Sequence, residues 1–426
     1  MGAGRLTGAD TMNASLDATN AMQCRSRVDA DFGRDEIAGP GKDPRPEVSF
    51  LLIQATPFCN IDCKYCYLPD RSNHARISLA TVARIFREVF SFPIKNETLF
   101  VAWHAGEPMV IPPGWYSSAF GIIEDVKPSH ISVRHQFQTN GTLLTDEWCD
   151  FLLGNRQYVE IRVSIDGPEE IHDLHRRTRN GAGTFHGTMK GIAKLRDRGI
   201  PFGTLSVLSR HSLHHPRALF DFFETIGVTD IAFNFEEIEG IHRTTSISEP
   251  GVQQLYKDFL KELCALMRMN KKQWKIRQID EVYRILGSQK DACNDEMVPG
   301  RFMAFDFRGG MSTFAPELLS LRHPGYGDFL LGNVHEQSLS QMVRGQKALS
   351  IGRDIAKGVE LCRSLCGYFE FCGGRFSSNK LLENGSFASA ETINCRFRIK
   401  TTVDALMEDL EASLLAVPNS HVSAVE

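Results

Sequence analysis

Three cysteines within eight residues carry the strongest chemical signal in the sequence. Cys59, Cys63 and Cys66 form a Cys-x3-Cys-x2-Cys pattern, and thiolates at this spacing can converge on one metal centre. A tetrahedral zinc ion would need a fourth ligand, and none stands nearby in the sequence. A 4Fe–4S cluster on three thiolates would leave one iron free for an exogenous ligand. A zinc loop that borrows a distant Cys or His is the alternative.

A second set of cysteines lies towards the C-terminus. Its members are Cys362, Cys366, Cys372 and Cys395. Four thiols at these distances are a complete ligand set for one metal centre, either a zinc ion or a 4Fe–4S cluster. Cys24, Cys149 and Cys264 stand outside both sets. We predict that they are free thiols, the last two as small core residues on helices.

The first cysteine set follows the first of six predicted strands. From Val48 onward, β-rich runs alternate with helical patterns, and Ser78 is predicted to cap a helix that runs to Phe90. The predicted strands are Val48–Ala55, Glu97–His104, Val133–Thr139, Tyr158–Ile165, Gly203–Leu208 and Thr229–Phe235. Such alternation predicts an α/β fold, a partial (β/α)6 barrel with a parallel sheet and right-handed crossovers. Because chemistry in these folds lies at the carboxyl ends of the strands, the first cysteine set marks the site.

The rest of the chain divides around this barrel. After it, two predicted helices, Gly251–Asn270 and Gln278–Leu286, lead to a hairpin over Phe302–Phe307 and Met311–Ala315. A helix over Thr402–Ala416 closes the chain. The predicted divisions are a flexible polar arm at 1–46, the barrel at 47–245, connecting helices at 246–290, an auxiliary domain at 291–400, and a C-terminal helix and tail at 401–426.

Composition excludes several classes of function. The 426 residues are 42% hydrophobic and 23% charged, which is typical of a soluble globular chain. A net charge of −4 provides no basic field for a nucleic-acid backbone. No apolar run approaches the roughly 20 residues of a membrane helix, and the N-terminus lacks the apolar stretch of a signal peptide. We therefore expect a cytoplasmic protein with reduced thiols, without nucleic-acid or membrane partners.

The strand-end motifs resemble those of the radical S-adenosylmethionine enzymes over about residues 47–400. The spacing of the first cysteine set, with the aromatic Tyr65 before its last Cys, matches the family signature. The segment WHAGEP at 103–108 matches the family's GGEP-like motif, with Ala105 at the first Gly. The resemblance implies a 4Fe–4S cluster on the first cysteine set and S-adenosylmethionine as cofactor.

The same resemblance assigns cofactor contacts to strand-end residues. Those residues are Tyr65, Ala105, Gly106, Glu107, Asn140, Ser164, Arg176 and Leu208. In the family the GGEP-like motif hydrogen-bonds the methionyl amino group, and Arg176 stands where the methionyl carboxylate is held by a charge-assisted bond. Val207 and Leu208 match residues that line the adenine. A role in turns or caps is the alternative for Asn140, Ser164 and Arg176.

The second cysteine set resembles the SPASM domain of peptide-modifying members of the family, which usually carries two auxiliary clusters. Here Phe314 stands where a third upstream Cys is expected, and Phe376 stands where a Cys normally follows the Cys-Gly-Gly segment. The resemblance therefore implies one auxiliary 4Fe–4S cluster on the second set, with a zinc ion as the alternative. Cys293 is expected to be a remnant or a buried thiol.

Two segments are similar to those of SPASM maturases that act on glycine-rich repeat precursor peptides. They are CGYFEFCGG at 366–374, within the second cysteine set, and NFEEIEG at 234–240, after the sixth strand. Those relatives are implicated in forming three-residue cyclophanes, in which an aromatic ring is joined to the β-carbon of a residue two places on. The resemblance implies a ribosomally made precursor peptide as substrate and an external electron donor of the flavodoxin or ferredoxin type. Glu236 and Glu237 follow the sixth strand and are the candidate proton acceptors, with His104 a weaker candidate and a turn-capping role as the alternative for the two carboxylates.

Three other functions stay open. Sulfatase maturation oxidises Cys or Ser to formylglycine. In those relatives an Asp directly follows the third upstream auxiliary Cys, whereas here Ala315 takes that place and Glu317 stands two residues on. Thioether formation to a peptide Cys is a second reaction, and a non-catalytic metal-binding redox module is the third alternative. The arm at 1–46 is too short for a separate leader-binding domain, so leader recognition is expected on another surface or another protein.

Overall fold

The computed structural model describes residues 45–288 and 295–415. The predicted N-terminal arm up to residue 44, Cys24, Cys293 and the residues after 415 lie outside the described residues. Within them, no helix is long and apolar enough to cross a membrane.

A ten-stranded sheet forms the centre of the molecule, and its first six strands are parallel and adjacent in chain order. These strands are β1 (Phe50–Ile53), β2 (Thr98–Trp103), β3 (Ser132–Thr139), β4 (Val159–Ser164), β5 (Gly203–Leu208) and β6 (Asp230–Phe235). Their carboxyl ends meet at one edge, where Ile53 pairs with Trp103 and Leu208 pairs with Phe235. The predicted partial barrel is confirmed.

Helices connect these parallel strands and cover the sheet. They are α1 (Leu79–Val89), α2 (Pro113–Val126), α3 (Asp146–Gly154), α4 (Glu169–His175), α5 (Phe185–Asp197) and α6 (Pro216–Ile226). Ser78 caps α1 as predicted, because its hydroxyl accepts a hydrogen bond from the Thr81 amide at 3.0 Å. The sequence did not predict α2, which contains Gly114 and Gly121 but is held by its buried apolar face.

The C-terminal part of the chain extends the same sheet. The strands that extend it are β7 (Lys275–Ile276), β8 (Phe302–Phe305), β9 (Gly310–Thr313) and β12 (Gly332–Asn333), while β10 (Arg322–His323) and β11 (Gly327–Asp328) form a separate two-stranded sheet. Strand β8 runs parallel to β1, with Phe302 opposite Phe50, and β9 returns antiparallel to β8. The predicted hairpin is confirmed, and it adds its strands directly to the barrel edge. The division into domains stays a prediction.

The remaining helices surround this extension. They are α7 (Val252–Met269), α8 (Arg277–Ser288), α9 (Leu339–Arg344), α10 (Gln346–Leu365), α11 (Phe369–Cys372), α12 (Ser377–Asn384), α13 (Ile393–Cys395) and α14 (Thr402–Leu415), with a π-helical turn at Arg396–Thr401. Cys149 on α3 and Cys264 on α7 are buried and free, as predicted.

Aromatic side chains fill the space between the sheet and its helices. Trp103 on β2 packs edge-to-face against Tyr116 of α2 at a centroid distance of 5.2 Å, and Phe137 of β3 lies 4.8 Å from the same ring. A second apolar cluster includes Phe314, Phe329 and Phe387 in the C-terminal region. Because Phe314 is 2% exposed and packs in this cluster, it has an apolar packing role.

Candidate active site at the carboxyl ends of the strands

The loop after β1 carries the first cysteine set and is fixed by backbone hydrogen bonds. The amides of Asp62 and Lys64 donate to the carbonyls of Arg177 and His175 at 2.6 and 2.9 Å. The Cys59 amide donates to the Arg71 carbonyl at 3.1 Å. The loop is thus tied to the end of α4, which also carries Arg176.

The thiols of this loop are half-buried and lie close enough to repel one another as thiolates. Burial raises the pKa of Cys59 above its ordinary value, and Glu107 and the two neighbouring thiols raise it further. Burial raises the pKa of Cys63 to about 12, although Arg176 lowers it. A positive metal centre would compensate such thiolates, so the donor set fits an iron–sulfur cluster. Across 45–288 and 295–415, no three His, Cys, Asp or Glu side chains form a group arranged for a single metal ion.

The WHAGEP segment after β2 packs directly against the start of the cysteine loop. Gly106 has φ +130°, and a Cβ there would lie 2.0 Å from the Thr56 carbonyl oxygen, so only glycine fits. The Glu107 amide donates to the Phe58 carbonyl at 2.8 Å, and Ala105 is fully buried with φ +66°. This close approach places the WHAGEP segment beside the cysteine loop, as the sequence predicted.

The Glu107 carboxylate joins the ends of β2 and β3. Its Oε1 accepts from the Thr139 hydroxyl at 2.7 Å and from the Met109 amide at 3.0 Å, and its Oε2 accepts from the Asn140 amide at 2.8 Å. Burial raises the pKa of Glu107 to about 7, although these hydrogen bonds lower it. These hydrogen bonds hold the ends of β2 and β3 together. A contact between Glu107 and a cofactor stays a prediction.

Asn140 lies beside the first cysteine of the loop. Its Nδ2 is 3.8 Å from Cys59 Sγ and donates to Asn60 Oδ1 at 2.8 Å. Its Oδ1 accepts from the Thr142 amide at 2.9 Å, which fixes the orientation of the side-chain amide. The end of β3 therefore supports the cysteine loop from the side.

A buried polar network connects Tyr65, Asp166 and Arg176. The Tyr65 hydroxyl donates to Asp166 Oδ2 at 2.5 Å, and Arg176 Nε lies 3.1 Å from Asp166 Oδ1. Arg176 Nη1 is 3.9 Å from Cys63 Sγ. Burial alone would lower the pKa of Arg176, but Asp166, Tyr65 and Cys63 together raise it. The guanidinium is thus charged and held next to the cysteine loop.

Asp166 is a site residue that the sequence motifs did not identify. Asp166 Oδ1 also accepts from the Val207 amide at 3.0 Å, which links β4 to β5. The predicted adenine-lining Leu208 is fully buried at the end of β5, and Ser164 is 7% exposed at the end of β4. An Asp after a strand is typical of a turn, so only its long-range partners would have identified it.

The structure separates the two predicted proton acceptors. The Glu236 carboxylate accepts from the amide and the hydroxyl of Ser246, which is a turn-fixing arrangement. The Glu237 carboxylate instead reaches the C-terminal region, where Oε2 accepts from Asn379 Nδ2 at 2.7 Å and Oε1 accepts from Asn394 Nδ2. Glu237 therefore connects the end of β6 to the residue that precedes Cys395.

Two further carboxylates, Glu239 and Glu317, gather near Glu237. Burial raises the pKa of Glu239 well above its ordinary value, and Glu237 and Glu317 raise it further. Burial raises the pKa of Glu317 to about 7. The Tyr67 hydroxyl lies 3.3 Å from His104 Nε2. Burial raises the pKa of Tyr67, and the nearby Glu317 and Glu239 raise it further. This acidic group lies between the barrel end and the C-terminal region.

The second cysteine set comes together near the ends of three helices. Cys362 lies in the last turn of α10, Cys372 ends α11 and Cys395 ends α13. Burial raises the pKa of Cys395 to about 12, and the neighbouring Cys372 and Cys366 raise it further. Burial also raises the pKa of Cys372, and its neighbours Cys362 and Cys366 contribute. The four thiols are thus close enough to influence one another, and their donor chemistry fits a cluster.

Comparisons with known proteins agree with this arrangement. The family model described as the radical SAM superfamily matches residues 53–223. The uncharacterized protein sll1766 of Synechocystis sp. is 37% identical over 372 residues, which cover 86% of this chain and 93% of that protein. The serine-type anaerobic sulfatase-maturating enzyme of Bacteroides thetaiotaomicron is 26% identical over 76% of this chain and 80% of its own length.

Two solved structures share the fold. A structure of anSMEcpe with bound AdoMet has a TM-score of 0.72 at 19% identity and covers 86% of this chain and 98% of that chain. Streptococcus suis SuiB bound to precursor peptide SuiA has a TM-score of 0.59 at 12% identity and covers 87% of this chain and 86% of that chain.

Proposed function

The chain belongs to the radical SAM superfamily, and we propose that it modifies a ribosomally made precursor peptide by joining an aromatic ring to a β-carbon as a three-residue cyclophane. S-adenosylmethionine and a 4Fe–4S cluster are its cofactors, and when bound they supply the one-electron chemistry that removes a hydrogen atom from the substrate. An auxiliary 4Fe–4S cluster on the second cysteine set and an external electron donor of the flavodoxin or ferredoxin type belong to the same proposal.

The observation that carries the proposal is the connection between the end of the barrel, where the first cysteine set lies, and the second cysteine set. Glu237 follows β6 and hydrogen-bonds Asn379 and Asn394, and Asn394 directly precedes Cys395. A cross-linking reaction needs such proximity, because the substrate loses one hydrogen atom, then one further electron and one proton. The first cysteine set serves the hydrogen abstraction, and the second set would receive the electron.

The chain's own residues provide binding and orientation. Arg176 is charged, buried and 3.9 Å from Cys63, which suits it to a carboxylate held beside the first cysteine set. Asp166 and Tyr65 fix its position, so little reorganisation is needed when a carboxylate binds. Gly106 lets the backbone of the strand-end segment approach the same loop.

A carboxylate near the barrel end receives the proton that leaves the aromatic ring. Of the two predicted acceptors, Glu237 lies in the group that also contains Glu239 and Glu317, whereas Glu236 is bound to Ser246. Burial and the neighbouring Glu237 and Glu317 raise the pKa of Glu239, which favours a proton on Glu239 next to Glu237. We therefore retain Glu237 as the proposed catalytic residue and assign Glu236 to fixing the turn.

Sulfatase-type maturation is the second candidate, because the chain resembles the Bacteroides enzyme over 80% of that enzyme's length. In this chain Ala315 stands at the position expected for the Asp base of those enzymes, and Glu317 lies buried nearby. SuiB was solved with a precursor peptide, and the shared fold supports a peptide substrate for this chain as well. Thioether formation to a peptide Cys is a further reaction of the same class.

One experiment separates these reactions. The protein is co-produced anaerobically with a candidate precursor peptide of the glycine-rich repeat type, and separately with a Cys- or Ser-containing sulfatase peptide. We expect the precursor peptide to lose two hydrogens, with tandem mass spectra that place the link between an aromatic residue and the residue two places on. Formylglycine in the sulfatase peptide, with an unchanged precursor, would contradict the cyclophane assignment.

A further inference from the structure

Lys380 lies buried in the C-terminal region with a single polar contact. Its side chain belongs to α12, the residue is 2% exposed, and Nζ donates to the Gly374 carbonyl at 2.9 Å. Among the residues that the structure describes, no carboxylate forms an ion pair with it. A buried ammonium with one neutral acceptor is costly unless an anion compensates its charge.

The residue that binds Lys380 also binds a predicted cluster ligand. The Gly374 amide donates to Cys372 Sγ at 3.4 Å, while its carbonyl accepts from Lys380. Gly374 thus links the Lys380 ammonium to the Cys372 thiol. The other three cysteines of the second set lie around that thiol. An iron–sulfur cluster on four thiolates carries net negative charge, which is the compensation that the ammonium lacks.

Arg398 lies over the Phe376 ring, and two other cations near the second cysteine set already have carboxylate partners. Arg375 forms an ion pair with Glu281, and Lys400 forms one with Glu391. Lys380 is further held in place through its neighbour on α12, because Asn379 Nδ2 donates to Glu237 Oε2 at 2.7 Å. Lys380 is therefore a fixed, uncompensated positive charge beside the cysteines.

We propose that Lys380 is a built-in counter-charge of the auxiliary cluster and raises its reduction potential. Reduction adds negative charge to the cluster, so a nearby fixed cation stabilises the reduced form more than the oxidised form. A higher potential would make the cluster a better acceptor for the electron that leaves the substrate. This inference rests on the auxiliary cluster proposed above, and it makes Lys380 a positioning residue that acts through that cluster.

The test is a redox titration of the full chain carrying Cys59→Ala, Cys63→Ala and Cys66→Ala, which leaves only the second cysteine set. The parent is compared with Lys380→Arg, Lys380→Gln and Lys380→Met by electron paramagnetic resonance after iron and sulfide assay. Lys357→Gln is the matched control, because Lys357 is an exposed lysine of α10 paired with Asp354. We expect a more negative midpoint potential in the Gln and Met variants, and a potential near that of the parent in the Arg variant and the control.

Each outcome decides between defined alternatives. Unchanged potentials in cluster-loaded Gln and Met variants would overturn the inference while the proposed function stands. A shift in Met but not in Gln would assign the effect to the hydrogen bond with Gly374 and would also overturn it. If the parent itself binds no iron, the auxiliary cluster and this inference fail together.

If the neutral variants do not retain the cluster, the thermal stability of the apoproteins decides. Apoproteins as stable as the parent support a counter-charge that the cluster requires, because a buried apolar side chain replaces an uncompensated ammonium without loss. Apoproteins whose melting temperatures lie well below that of the parent apoprotein would show that Lys380 stabilises the fold, and this would overturn the inference.

Discussion

Arg176 Nε lies 3.1 Å from Asp166 Oδ1, and both side chains are almost fully buried, at 7% and 1% exposed. The pair belongs to no surface network, because Asp166 is bound on its other oxygen by Tyr65 and Arg176 reaches towards Cys63. A buried charge pair of this kind is weak evidence for stability by itself. Its position beside the first cysteine set suits the proposed contact between the guanidinium and the methionyl carboxylate.

Replacing Arg176 with Ala is expected to weaken S-adenosylmethionine binding while the iron content is unchanged. Loss of one hydrogen bond to a charged group costs about 1.5–3 kcal/mol, which is about 10- to 150-fold in affinity. Isothermal titration calorimetry under anaerobic conditions measures the affinity, and Arg198→Ala, at the exposed residue that follows α5, is the control. An affinity equal to that of the wild type would show that the assignment of this residue is wrong.

Gly106→Ala is expected to destabilise the protein and reduce cluster loading. The new Cβ would lie 2.0 Å from the Thr56 carbonyl oxygen at a φ of +130°, and strain with overpacking of this kind costs about 2–4 kcal/mol. Gly121→Ala is the matched control, because nothing lies within 4 Å of its Cβ on helix α2, and it should stabilise by about 1 kcal/mol or less. Equal denaturation midpoints for the two variants would contradict this account of the strand-end segment.

Much of the fold could be predicted because local patterns and tertiary packing agree. Strand β5 begins and ends at the predicted residues, Gly203–Leu208. Helix α2 was missed because its glycines and serines are weak helix formers, and only its apolar face, which includes Tyr116, holds it in place. The pairing of β8 with β1 could not be predicted from the sequence either, because it joins residues about 250 positions apart.

The candidate site was predictable where it follows motif spacing and unpredictable where it depends on long-range partners. The first cysteine set, Gly106 and Arg176 come from segments with recognisable spacing. Asp166 acquires its role only because Tyr65, which is 101 residues away in sequence, reaches it. Glu237 likewise meets Asn379 across 142 residues, so no sequence pattern distinguishes it from Glu236.

The buried His135 makes stability depend on pH. Burial lowers its pKa from 6.5 to about 3, so the folded protein binds fewer protons than the unfolded chain between these values. Stability therefore rises with pH across that window, and about 2 kcal/mol should be lost between pH 6.5 and about pH 5.

His135→Gln keeps an acceptor for the Trp103 indole, which donates to His135 Nδ1 at 3.3 Å, but it cannot titrate. The loss of stability between these pH values should therefore be smaller in this variant by the same amount, as measured by urea denaturation. His130→Gln, at an exposed position, is the control. Parallel pH profiles for wild type and His135→Gln would contradict the prediction.

The number of clusters follows from the cysteines that the chain provides. Three cysteines after β1 and four in the C-terminal region support two 4Fe–4S clusters, or about eight irons per chain. Phe314 and Phe376 cannot supply thiolates. Anaerobic reconstitution with iron and sulfide assay should give the same value for wild type and Cys293→Ala. About twelve irons in the wild type, falling by about four in the variant, would reveal a third cluster with unconventional ligands.

The most direct test of the account is the formation of 5′-deoxyadenosine by the reconstituted protein with S-adenosylmethionine and dithionite. We compare the wild type with the variant in which Cys59, Cys63 and Cys66 are all replaced by Ala. The account predicts that the wild type forms 5′-deoxyadenosine and that the triple variant forms none while it retains about four irons on the second cysteine set. Continued formation of 5′-deoxyadenosine by the triple variant, or none by the fully loaded wild type, would contradict it.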